Sequence, residues 1–222
     1  MAPPLPWLKP AVLTGGLAPL ALLTLEGLRG TLGANPIERV LNQTGLLALI
    51  LLVASLACTP LKVVARWTWP MRLRKLLGLL GFSYAVLHFL TYAAVDQGLA
   101  LAAILEDISK RPFVTVGFLA LVLLVPLAAT STQRMVRRLG FPAWQRLHRL
   151  AYVAASLGVL HFLWRVKKDL TEPLLFGAVL ALLFAVRLVE RGRRRRARLG
   201  ALPHPSPLPG GEGAYTGSAR EP

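Results

Sequence analysis

Six stretches of this sequence are apolar for about as long as a helix needs to cross a lipid bilayer, and that excludes most folds at once. A transmembrane helix takes about 20 largely apolar residues, and inside the hydrocarbon only helices or closed barrels satisfy their own backbone. The runs are 11–28, 45–61, 76–95, 112–130, 144–164 and 173–189. They predict an all-α fold, a polytopic membrane helix bundle of six transmembrane helices. The first run is weakened by Gly15, Gly16 and Pro19; it reads as a span rather than a signal peptide, because no small-x-small cleavage site follows it cleanly. Composition agrees. Only 16% of the 222 residues are charged, against about 25% in soluble domains.

The net charge of +16 would suggest nucleic acid in a soluble protein. Here the basic residues fall between apolar runs, as topology requires of loops on the cytoplasmic side. The connection after the second run holds Lys62, Arg66, Arg72, Arg74 and Lys75 and no acid. The connection after the fourth is basic too, with Arg134, Arg137, Arg138 and Arg146, and Arg149 just beyond. The remaining connections mix signs. Alternate loops are therefore basic, which places both termini in the cytoplasm. Residues 1–10 read as an irregular lead, 11–190 as one membrane domain, and 191–222 as a basic, then disordered, tail. The tail's arginines also suit anionic lipid.

Three histidines lie in the apolar runs: His88, His148 and His161. An ionisable side chain in a span is costly and marks function. Counted from the basic boundaries, His88 and His161 share a depth in the outer half, while His148 lies near the cytoplasmic face. Facing neutral imidazoles are suited to axial ligation of a b-type haem, so His88 and His161 are the expected pair. His148 lacks a histidine opposite it; Lys75 and Arg74 stand at its depth. Those cations could hold haem propionates or a phosphate, or His148 could ligate a second haem iron. Thirteen positions separate His148 from His161, about 20 Å along one helix and roughly 140° apart around it, so either the winding changes between them, near Gly158, or they lie at sites off different faces. The lone cysteine, Cys58, excludes an intrachain disulfide and a cysteine-built metal site. No phosphate loop, dinucleotide fingerprint or catalytic triad occurs.

Specific segments carry a resemblance. L-G-A-N-P at 32–36, T-P-L at 59–61, L-H-F-L-T-Y at 87–92, R-P-F-V-T-V-G at 111–117, T-S-T-Q-R-M at 130–135, W-Q-R-L-H-R-L-A-Y at 144–152 and H-F-L-W-R-V-K at 161–167 resemble the ferric-reductase-like transmembrane domain. They are most similar to its MsrQ (YedZ) family, over roughly residues 10–190. The resemblance implies a haem-binding subunit of the bacterial inner membrane that carries one or two b-type haems and an FMN whose site no segment marks. It implies a heterodimer with a periplasmic molybdopterin reductase of the MsrP type, which repairs methionine sulfoxide in proteins. The electron donor would be the quinone pool or a cytoplasmic flavin reductase. Lys75 stands where the wider group often has a fourth histidine. The competing readings are direct reduction of ferric ions or quinone, and a haem-free transporter or scaffold.

Overall fold

The computed structural model describes residues 6–200, the last three by backbone alone. Among them all regular structure is helical: α1 (Leu8–Leu28), α2 (Pro36–Val64), α3 (Arg74–Leu90), α4 (Leu101–Lys110), α5 (Pro112–Ala129), α6 (Gln133–Leu139), α7 (Phe141–Leu147), α8 (Leu150–Arg165) and α9 (Thr171–Gly200). A 3-10 turn, Trp69–Arg72, leads into α3, and a π-helical turn, Thr91–Asp96, prolongs it. The expected disordered tail, with His204, lies outside the described residues, except that 199–200 continue α9. α1 begins inside the expected irregular lead, because Pro10 sits in its first turn, where a missing N–H costs nothing.

Five helices are long and apolar enough to cross a membrane: α1, α2, α3 with its π-helical extension, α5, and α9 as far as Ala197. The fifth expected span is built differently. Run 144–164 is two helices, and α8 has only 16 residues, about 24 Å of rise. The break falls at His148 and Arg149. There the amide of Arg149 bonds back to Arg146 and that of Ala151 to His148, three residues away instead of four, which tightens the chain into a 3-10-like turn.

Helix α2 also departs from expectation, starting nine residues before its apolar run. Asn35 caps it: its side chain accepts from the Glu38 amide at 3.2 Å and donates to the Glu38 carboxylate at 2.9 Å, while Pro36 fills the first helical position. Capping makes the polar turn 36–44 helical although hydropathy reads it as a connection.

Residue contacts divide the chain after Arg187. In the unit up to Arg187, α2 is the central helix. One face packs Leu49, Val53 and Leu56 against Ala155 of α8 and Leu180 and Leu183 of α9. Another packs Ala48 and Leu51 against Leu80 and Tyr84 of α3. Small residues let the helices approach: Ala154 and Ala155 are fully enclosed, the pattern expected where lipid removes the hydrophobic drive between helices. α1 is tied on by the Tyr84 hydroxyl, which donates to the Gly16 carbonyl at 2.6 Å. Exposed leucines and valines on α1, α5 and α9 form the surface that lipid would cover. In the second unit, from Leu188, Glu190 and Arg194 pair at 2.6 Å, one turn apart.

Candidate functional site

His88 projects from α3 and His161 from α8 into one cavity of about 1070 Å³. Their ring centroids are 6.1 Å apart and the planes stand at 81°. Each ring is fixed in the same way. The Nδ1–H of His88 donates to the Leu41 carbonyl of α2 at 2.9 Å, and that of His161 to the Phe113 carbonyl of α5 at 2.7 Å. A carbonyl only accepts, so Nδ1 carries the proton in both rings and each Nε2 keeps its lone pair. Such second bonds from imidazole to backbone accompany metal ligation as a rule.

One turn beyond each accepting carbonyl stands a glycine: Gly45 after Leu41 and Gly117 after Phe113. A Cβ on Gly45 would lie 3.1 Å from the His88 ring, and one on Gly117 would lie 2.6 Å from Nδ1 of His161. The rings thus lie flat on backbone that only glycine leaves bare. The pairs α2–α3 and α5–α8 present their histidines through one repeated device: carbonyl, then glycine four residues on, then a ring from the neighbouring helix.

This geometry fits a haem iron held between two imidazoles. An imidazole nitrogen ligates a metal at about 2 Å, which leaves each ring centre about 3 Å from the metal. Two such rings stand about 6 Å apart, as His88 and His161 do. The cavity is at the upper end of ordinary ligand pockets, about 300–1,000 Å³. Its depth is apolar, with Leu49, Leu52, Leu121 and Leu124; its mouth is polar, with Asn35, Glu38, Arg39, Arg111 and Arg165.

His148, Arg74 and Lys75 come together elsewhere. They line a smaller cavity of about 280 Å³ with Met71, Ser131 and Trp144. Trp144 packs over the His148 ring, 4.1 Å between centroids. The Thr130 hydroxyl donates to the Pro126 carbonyl at 2.6 Å, so toward Nε2 of His148, 3.1 Å away, it accepts. Nδ1 then holds the free lone pair. Thr130 also receives the Trp144 indole N–H on its carbonyl at 3.0 Å. Leu52 and Leu124 line both cavities, so these two side chains are the partition between them.

Comparison with known proteins places this architecture. A family model described as ferric reductase like transmembrane component matches residues 44–159. A protein of Deinococcus radiodurans called protein-methionine-sulfoxide reductase heme-binding subunit MsrQ is 53% identical over 194 residues, which cover 87% of this chain and 96% of that protein. Proteins of the same name from Rhodospirillum rubrum and Herminiimonas arsenicoxydans are 52% and 46% identical, covering 84% and 87% of this chain and 90% and 89% of theirs. The chain belongs to the MsrQ family. It is a membrane protein, with the ferric-reductase-like component between residues 44 and 159. The match to the ferric-reductase-like component includes His88 and His148 and stops two residues short of His161. No solved structure matches the chain.

The sequence assigns no role to Gly45, Gly117, Thr130 or the two accepting carbonyls, although Gly117 and Thr130 lie in segments that carry the resemblance. Carbonyls carry no side-chain signal. The T-G at 44–45 and V-G at 116–117 were visible, and a glycine at the level of each histidine was the available clue.

Proposed function

We propose that this protein is the haem-binding electron conduit of a periplasmic methionine-sulfoxide reductase system. The observation that carries the proposal is the facing pair His88 and His161, each with Nε2 left free by a carbonyl that holds Nδ1. The names of the relatives, which are heme-binding subunits, support it. A b-type haem bound between these rings supplies one-electron carriage. The chain's own residues do the rest: the carbonyls of Leu41 and Phe113 fix tautomer and ring angle, the glycines admit the rings, and the apolar depth excludes water.

The proposal orients the molecule by charge. Connections rich in Lys and Arg face the cytoplasm, which gives six crossings, α7 and α8 together making the fifth, with both termini inside. The His88–His161 cavity then opens on the periplasmic side and the His148 cavity on the cytoplasmic side. His148, with Arg74 and Lys75, forms the electron-uptake site, where the two cations can hold the carboxylates of a second haem or the phosphate of FMN. Electrons come from the quinone pool or a cytoplasmic flavin reductase, cross the Leu52–Leu124 partition, and leave to a periplasmic molybdopterin reductase bound as a heterodimer.

The test is a reduced-minus-oxidised spectrum of the membrane-extracted protein with haem counted per chain. A low-spin b-haem spectrum is expected, and His88→Ala and His161→Ala should each abolish most of the outer haem's share. Normal haem content in both variants would overturn the proposal. His148→Ala should slow reduction by a cytoplasmic donor while that outer spectrum persists.

A further inference from the structure

The mouth of the larger cavity holds three arginines, and they are not equivalent. Arg39 is engaged by Glu26 at 2.7 Å, and Arg111 by Asp107 at 3.2 Å. Arg165 reaches its acid, Glu38, only at 3.9 Å. The Glu38 carboxylate is meanwhile held by Asn35 at 2.9 Å as part of the α2 cap. Arg165 therefore has a guanidinium fork whose ion pair is at the outer limit of contact. It stands four residues after His161 on α8, on the same helical face and one turn nearer the mouth. It lines the cavity that both histidines enter, and two thirds of its side chain is covered.

A ligand suited to this cavity has a broad apolar body and a charged edge. The deep walls are leucines and alanines, which cannot satisfy a carboxylate. The mouth can, and a guanidinium takes a carboxylate in two parallel bonds. We propose that Arg165 binds a carboxylate of the group held between His88 and His161 and that its charge raises the reduction potential of that centre. This rests on the haem reading above. The sign follows from Coulomb's law: the oxidised iron carries one more positive charge than the reduced, so a nearby cation disfavours the oxidised form. Low dielectric around the cavity strengthens the effect, and partial exposure of the mouth moderates it.

The experiment compares Arg165→Gln, Arg165→Lys and Lys168→Gln in the full-length, membrane-extracted protein, reading haem per chain and midpoint potential by spectroelectrochemical titration. Lys168 is an exposed cation on the same connection and does not line the cavity. Arg165→Gln should keep haem and lower the potential, by about tenfold in the reduction equilibrium, about 59 mV for a one-electron couple. Arg165→Lys should recover part of the shift, and Lys168→Gln should show none. An unchanged potential in Arg165→Gln, or an equal shift in Lys168→Gln, would overturn the proposal. If Arg165→Gln loses the haem, Arg165→Lys decides: haem restored upholds the charge, and haem lost again overturns it. Failure of the haem reading itself is separate, because His88→Ala would then leave the spectrum in place.

Discussion

At the scale of single residues, the site is built from groups that have no side chain to notice. His88 and His161 could be paired from the sequence because depth can be counted from a basic boundary, and the structure sets them 6.1 Å apart. What holds them could not be counted. The Leu41 and Phe113 carbonyls are anonymous, and a glycine in an apolar helix reads as a weak helix former rather than as a seat for a ring. The two glycines should be unequal. At Gly117 a methyl would sit 2.6 Å from His161, roughly 1 Å inside the ~3.5–4.0 Å of ordinary contact, while at Gly45 it would sit 3.1 Å from His88. Gly117→Ala must therefore displace its histidine from the Phe113 carbonyl, and loss of such an outer partner commonly costs about 10–100-fold in metal affinity. Haem retained per chain through purification should fall steeply in Gly117→Ala and less in Gly45→Ala. Equal retention in both would mean that the rings are not seated as described.

At the scale of elements, hydropathy found the helices and misjudged their ends. It could not see the capped polar turn of α2, where Asn35 and Glu38 satisfy one another. Nor could it see the turn at His148 and Arg149, which divides an apolar run because Trp144 and Thr130 engage the ring there. Among the five long apolar helices α1 is the least buried, with one residue of its length, Leu23, enclosed. Its specific ties are the Glu26–Arg39 ion pair to α2 at 2.7 Å and the buried Tyr84 hydroxyl on the Gly16 carbonyl, the latter reinforced by Leu80, which fills the space beside Gly16. A hydrogen bond of this kind contributes about 0.5–1.5 kcal/mol. Tyr84→Phe should therefore loosen α1 alone. Protease cleavage in the 30–34 connection should speed up in detergent, with the haem spectrum unchanged, since no residue of α1 lines the cavity that the histidines enter. A spectrum that collapses together with faster cleavage would show that α1 supports the site.

At the scale of the whole molecule, function depends on direction. Two cavities of different size share the partition of Leu52 and Leu124, and different connections bound them. The mouth of the larger is made by mixed-charge segments, with Glu38, Arg39, Asp96, Arg111 and Asp169. The smaller is bounded by the basic ones, with Arg74 and Lys75. The proposed conduit, which delivers electrons outward, needs the larger cavity on the periplasmic side, and the positive-inside rule independently favours that orientation. The chain is well suited to a direct test, because Cys58 is its only cysteine and is buried. In a Cys58→Ala background, Ser109→Cys places a thiol on the exposed face of α4, and Gln133→Cys places one at the start of the exposed α6. A membrane-impermeant maleimide added to intact spheroplasts should label the cysteine at 109 and spare the one at 133 until the membrane is opened. Labelling at 133 alone would invert the molecule and turn the larger cavity toward the cytoplasm. Labelling at both before lysis would put the two connections on one side, which an odd number of crossings between them forbids: α5 alone lies between residues 109 and 133, and it is long and apolar enough to cross once.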